Sequence, residues 1–93
     1  MLAGLCSIEL SLPGVGSLKE KRAILKGLLT KIHNKFNVSA AEVGYQDYWQ
    51  KAVIGVAVVS NENKHLQQVL QQVVNFIEKS TEVILLDYQI EIL

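Results

Sequence analysis

The sequence predicts a ferredoxin-like α+β sandwich, in which one four-stranded antiparallel sheet carries two helices on one of its faces. The prediction depends on three observations. Apolar residues alternate with period two near both ends of the chain, two segments have helical apolar spacing, and two short β-type segments lie between those helical segments. The resulting order is β-α-β-β-α-β, and right-handed crossovers then place the first and third strands in the centre of the sheet. The 93 residues are enough for one such domain, which we expect to span residues 1–93.

Residues 2–12 predict the first strand because apolar and polar residues alternate along them. The turn residues of segment 13–16 (PGVG) interrupt this pattern. Ser17 and Glu20 then match a capping box, which predicts that a helix begins at Leu18. The apolar positions that follow have helical spacing as far as Phe36, and they are Leu18, Leu25, Leu28, Leu29, Ile32 and Phe36.

The central part of the chain predicts a pair of strands. Residues 37–43 (NVSAAEV) form a short candidate strand, and residues 44–50 are expected to be a loop. Residues 52–59 (AVIGVAVV) lack polar alternation, which is typical of a strand in the middle of a sheet. Ser60 and Asn61 are candidate caps for a second amphipathic helix over residues 62–79.

The last strand is predicted over residues 82–93. The residues expected to face the helices share one parity, and they are Ile84, Leu86, Tyr88, Ile90 and Ile92. This assignment leaves Val83 and Leu85 for the opposite, open face of the sheet.

The charge of the chain is strongly polarised, although its formal net charge is zero. Six of its nine Lys and Arg residues lie in segment 17–36, with one acidic residue. At 100° per residue, Lys19, Arg22, Lys26 and His33 form a narrow stripe about 21 Å long beside the apolar face of the first helix. The stripe favours two interpretations: contact with the phosphates of RNA or of a ribonucleoprotein, or a solubilising face whose lysine stems cover the edge of the core.

Exposed apolar residues predict a second candidate surface. The open face would carry Leu5, Val83 and Leu85 together with half of the apolar third strand, which is a large patch for a monomer. The expected partner is a second copy of the chain in a homo-oligomer, most simply a dimer. The central loop adds Tyr45, Tyr48 and Trp49, which could pack within the chain, contact a protein partner or stack on nucleobases.

The sequence argues against several other functions. The predicted central strands have no aromatic residue for base stacking on the sheet. The 13–17 turn could cradle an anion as in a phosphate-binding enzyme, but it contains neither a P-loop motif nor a basic side chain. Neither histidine has neighbours at metal-ligand spacing, so we expect no metal, no cofactor and no catalysis.

The sequence also predicts the cellular compartment of the protein. Its single cysteine, Cys6, cannot form an internal disulfide, which fits a reducing compartment. No segment approaches the roughly 20 apolar residues that span a bilayer. We therefore expect a cytoplasmic protein that does not contact membranes.

Four segments resemble those of the YlxP-like family of small bacterial proteins: 17–22 (SLKEKR), 36–43 (FNVSAAEV), 46–52 (QDYWQKA) and 55–61 (GVAVVSN). They occur in the same order and at the same spacing, and the resemblance covers essentially the whole chain. It implies a ferredoxin-like fold and a cytoplasmic bacterial protein. Members are typically encoded among translation and ribosome-maturation genes, which implies a role linked to RNA. The family supplies no catalytic residues to carry over.

Overall fold

The computed structural model describes residues 1–93 and has the predicted order of elements. They are β1 (Leu2–Ser11), α1 (Leu18–Lys35), β2 (Ser39–Gly44), β3 (Lys51–Ser60), α2 (Asn63–Glu78) and β4 (Ile84–Ile92). The four strands form one sheet in the order β2-β3-β1-β4, and all neighbours are antiparallel. Both helices pack on one face of this sheet. The ferredoxin-like topology predicted from the sequence is therefore confirmed.

The two central strands pair along their whole length, from Leu2 opposite Ser60 to Ser11 opposite Lys51. Because side chains alternate across a sheet, this register sets two rows of apolar residues side by side beneath the helices. The rows are Cys6, Ile8 and Leu10 on β1 and Ala52, Ile54 and Val56 on β3, and all six are buried. The uniformly apolar sequence of β3 thus follows from its central position.

The helices complete the core from above the sheet. The buried apolar residues of α1 are Leu25, Leu28 and Ile32, and those of α2 are Leu66, Leu70, Val73, Val74 and Ile77. Burial raises the pKa of the Cys6 thiol from 9.0 to about 11, so this side chain is a neutral packing group at physiological pH. Neither α1 nor α2 combines the length and the apolar character that a membrane-crossing helix needs.

A tight turn joins β1 to α1. The N–H of Val15 donates to the carbonyl of Leu12 at 3.4 Å, and Gly14 has a φ of 76°. Pro13 followed by a glycine with positive φ is the combination that a type II turn requires. The segment read from the sequence as a turn followed by a helix cap has this structure.

The predicted orientation of the last strand is wrong over its first residues. A bulge shifts the β1–β4 register between Glu9 and Leu10, so that Glu9 lies opposite Asp87 but Leu10 lies opposite Leu85. The extra residue reverses which parity faces the helices. Val83 is consequently buried at 4% exposure and Leu85 packs partly against the core, whereas Ile84 and Leu86 are exposed.

The start of α2 also differs from the prediction. Neither Ser60 nor Asn61 is the N-cap, because that position is held by Glu62, whose side chain makes no capping hydrogen bond. The Ser60 hydroxyl instead accepts from the N–H of Glu62 at 3.2 Å and closes the turn that leads into the helix. Ser60 therefore shapes the entry of α2 from two residues before the N-cap, without capping the helix itself.

Candidate functional surfaces

Helix α1 begins where the capping box predicts. The N–H of Glu20 donates to Ser17 Oγ at 3.1 Å, and the Glu20 carboxylate accepts from the N–H of Gly16 at 3.1 Å. Two otherwise unpaired amides are satisfied, and a negative charge lies at the positive end of the helix dipole. This cap uses the only acidic side chain of α1, so no carboxylate of the helix itself is available to its exposed cations.

The basic stripe, defined as Lys19, Arg22, Lys26 and His33, is exposed along its whole length. The single ion pair of the structure involves none of the four residues. The flank of α1 that faces the end of α2 carries Ile24, Leu28, Lys31 and Lys35. At 100° per residue the stripe lies on the other flank, so its cations face solvent rather than the neighbouring helix.

Lys21 is the basic residue of α1 that does not reach the surface, and its role was missed from the sequence. Its side chain is fully buried, with Nζ 2.8 Å from Glu42 Oε2 on β2 and donating to the carbonyl of Tyr45 at 2.7 Å. The Glu42 contact is an ion pair between a buried ammonium group and a largely buried carboxylate. A signal for this burial was available, because Lys21 precedes Leu25, Leu28 and Ile32 by four, seven and eleven residues and thus shares their face.

The buried ammonium fixes the start of the aromatic loop, defined as residues 45–50. Tyr45 has a positive φ of 55°, and its carbonyl accepts both from Lys21 Nζ and from the N–H of Tyr48 at 2.9 Å. The Tyr45 and Tyr48 rings pack edge to face at 5.1 Å, and Lys51 Nζ lies 5.5 Å from the Tyr45 ring centroid. Of the three uses predicted for these aromatics, packing within the chain is observed for this pair, while Tyr48 and Trp49 keep more than half of their surface exposed.

The open face of the sheet has a mainly apolar half over β2 and β3, and a half over β1 and β4 that carries both apolar side chains and carboxylates. Its exposed apolar side chains include Leu5, as predicted, and also Val43, Val59, Ile84 and Leu86, which lie on three different strands. β4 also contributes Asp87, Gln89 and Glu91 to this face, and Asp87 lies directly opposite Glu9. No aromatic side chain lies on this face along β1 or β3, and two neighbouring carboxylates would repel a phosphate backbone.

No group of three His, Cys, Asp or Glu side chains comes together in the structure in a way that could hold a metal ion. His33 and His65 lie on different helices, and both are exposed. The candidate sites predicted from the sequence are three surfaces: the basic stripe, the open face and the aromatic loop.

Comparison with known proteins gives two matches. The family DUF503, described as a protein of unknown function, matches residues 3–90. The chain belongs to the DUF503 family. One relative, "Uncharacterized protein YlxP" of Bacillus subtilis (strain 168), is 45% identical over 82 residues, which cover 88% of this chain and 89% of the relative. The resemblance to the YlxP-like family is confirmed, and neither description assigns an activity to DUF503 proteins.

Proposed function

We propose that this protein is a non-catalytic module that binds RNA or a ribonucleoprotein through the basic stripe. The observation that carries the proposal is the arrangement of Lys19, Arg22, Lys26 and His33, four exposed side chains on one flank of a helix without a carboxylate partner. A cation that is already paired with a carboxylate must break that ion pair before it can bind a phosphate. The unpaired cations of the stripe release only water and counterions when they bind one. The gene neighbourhood implied by the YlxP-like resemblance supports the same function.

The distribution of the acidic residues supports an approach of RNA from the helical side. Glu9 and Asp87 lie side by side on the open face, so a phosphate backbone is repelled there and attracted at α1. The assigned roles are phosphate contacts for Lys19, Arg22 and Lys26, and an auxiliary hydrogen-bond donor for His33. We expect the protein to act in the cytoplasm, because its one thiol is buried and forms no disulfide.

Binding of a fluorescently labelled RNA hairpin is expected to weaken steeply as salt is raised. Three phosphate contacts give a slope of log K against log[salt] of about −2 to −3, because each contact releases roughly 0.7–0.9 of a counterion. The triple variant Lys19→Glu/Arg22→Glu/Lys26→Glu should abolish binding and keep the circular dichroism spectrum and the melting temperature of the wild type. Fluorescence anisotropy over a salt series measures both effects.

The matched control is Lys51→Glu/Lys64→Glu/Lys79→Glu. It changes the net charge by the same amount as the stripe variant but leaves the stripe intact. All three control residues are exposed and lie outside α1. If both triple variants lose the same affinity, the binding follows net charge and the stripe has no special role. Absence of binding by the wild type at low salt would contradict the proposal directly.

The open face favours a second candidate function, a homo-oligomeric interaction or scaffolding module. Val43 and Val59 are 59% and 65% exposed, and Leu5 on the neighbouring strand β1 lies opposite Ala57 and is 38% exposed. The carboxylates of this face lie toward β4. A second copy docked about a two-fold axis over β2 and β3 would therefore bury the apolar halves together and hold the acidic halves apart. The exposed Tyr48 and Trp49 side chains could extend this interface.

The second candidate predicts a dimer in solution. Light scattering at micromolar protein concentration is expected to give twice the monomer mass. The substitution Val59→Glu should reduce it to the monomer mass, because it places a carboxylate in the apolar half of each copy. The control Gln68→Glu adds the same charge to the exposed side of α2 and should leave the dimer intact. A strictly monomeric wild type would exclude this function.

A further inference from the structure

A cleft lies between the C-terminal half of α1 and the segment that leads from α2 into β4. Its volume is about 420 Å³, within the range of roughly 300–1,000 Å³ that is typical of small-molecule sites. Its apolar lining is formed by Ile24, Leu28, Phe76 and Val83. The cleft lies on the flank of α1 opposite to the basic stripe, and neither proposed function uses it.

Three lysines from two helices surround this apolar floor: Lys31, Lys35 and Lys79. One carboxylate, that of Glu82, also lines the cleft, but it forms no ion pair with any of them. Lys35 Nζ lies 5.1 Å from the centroid of the Phe76 ring and 5.8 Å from that of Phe36, so two aromatic faces hold it at the rim. The cleft thus combines an apolar interior with a surplus of cations that lack counter-charges.

Stabilisation of helix ends explains only part of this arrangement. Lys35 is the last residue of α1 and Lys79 is the C-cap of α2, where cations interact favourably with the helix dipoles. Lys31 lies a full turn before the end of α1, beyond the last-turn range of that effect. Its ammonium group has no partner in the chain, yet it lines the same cleft.

Polar donors complete the lining of the cleft. Ser80 and Thr81 both contribute to its wall, and each carries a hydroxyl group. The N–H of Ser80 donates to Ile77 and that of Glu82 to Ser80 Oγ, but the N–H of Thr81 has no acceptor within the chain. Three ammonium groups and two hydroxyls against the single carboxylate of Glu82 form a lining that suits an anionic oxygen ligand better than a cation.

We propose that this cleft binds a small organic phosphate, whose phosphate group meets Lys31, Lys79 and the Thr81 segment and whose apolar body packs against Ile24 and Phe76. The apolar floor selects such a ligand over inorganic phosphate, because inorganic phosphate leaves that floor wet. The cations select it over a neutral molecule of the same shape. The site is independent of RNA binding, since it shares no residue with the basic stripe.

Phenyl phosphate is the probe for this proposal. Inorganic phosphate represents its anionic group alone, and benzyl alcohol represents its apolar body alone. In titrations followed by ¹H–¹⁵N NMR of the full chain, phenyl phosphate should shift the amide signals of residues 31, 35 and 79–83 and bind more tightly than either half. The variant Lys31→Gln/Lys79→Gln should weaken it by about fivefold, which corresponds to two lost ion contacts of about 0.5 kcal/mol each. Both lysines are exposed, so this variant keeps the wild-type fold, which its NMR spectrum verifies.

The control variant is Lys19→Gln/Lys26→Gln, which removes two charges from the stripe and should leave the affinity for phenyl phosphate unchanged. Equal losses in the two variants would show a general charge effect and overturn the proposal. Inorganic phosphate binding as tightly as phenyl phosphate would also overturn it, because the apolar floor would then contribute nothing. RNA binding by Lys31→Gln/Lys79→Gln should remain intact, so failure at the cleft is separable from failure at the stripe.

Discussion

Replacing Lys21 by alanine is expected to lower the free energy of unfolding by about 3 kcal/mol, toward the lower end of the 3–5 kcal/mol typical of breaking a buried ion pair from one side. The Glu42 carboxylate and the Tyr45 carbonyl both lose their ammonium partner. The lower end applies because the Glu42 side chain is 19% exposed and can regain some water. Urea unfolding followed by circular dichroism measures the change.

Two controls separate the ion pair from a general effect of losing a lysine. Lys31→Ala removes an exposed lysine from the same helix and should change stability by no more than about 0.5 kcal/mol. The double variant Lys21→Met/Glu42→Gln removes both charges and should recover much of the loss, because no uncompensated charge remains in the interior. If Lys21→Ala and Lys31→Ala lower the free energy of unfolding by the same small amount, the ion pair does not stabilise the contact between α1 and β2.

The Lys21→Ala variant should also detach the aromatic loop from α1, because it removes the hydrogen bond from Lys21 to the Tyr45 carbonyl. Tyr45 keeps a positive φ while its carbonyl is held by Lys21 Nζ and by the N–H of Tyr48. A residue other than glycine pays a conformational cost in this region, which its surroundings must offset. Lys21 therefore links the interior of the fold to the exposed side chains of Tyr48 and Trp49, although it belongs to none of the three candidate surfaces.

Periodicity made the topology and the basic stripe predictable from the sequence. The capping residues Ser17 and Glu20 marked the start of α1, and the 3.6-residue repeat then fixed the angular positions of Lys19, Arg22 and Lys26. The burial of Lys21 was not predicted from the sequence. Its place on the same face as Leu25 already indicated burial, but the carboxylate that makes burial tolerable comes from β2, 21 residues later in the sequence.

The orientation of the last strand could not be predicted from the sequence for a different reason. Residues 83–86 are all apolar, so either parity satisfies the pattern and the period-two rule gives no direction. Only pairing with β1 reveals that Leu10 lies opposite Leu85 after the bulge. The cleft also depends on contacts between distant parts of the sequence. Lys31 and Lys79 are 48 positions apart and line the same cleft only in the folded chain.

The bulge in β4 predicts opposite outcomes for two adjacent substitutions. Val83→Asp is expected to cost about 3 kcal/mol or more, because Val83 is 4% exposed and a carboxylate there has no partner. Ile84→Asp should cost about 1 kcal/mol or less, since Ile84 is 53% exposed and loses mainly β-propensity. Urea unfolding at a protein concentration low enough to keep the chain monomeric measures both values.

Val83→Ala provides the matched control, because it removes apolar volume at the same position without adding charge. Its cost should lie between those of the two aspartate variants, and the difference from Val83→Asp isolates the burial of the carboxylate. The regular alternation read from the sequence predicts the reverse order, with Ile84→Asp the more damaging substitution. The ranking of the two aspartate variants therefore decides whether Ile84 or Val83 faces a partner on the open side of the sheet. A bulge that sets Ile84 outward places this residue, rather than Val83, on the open side of the sheet.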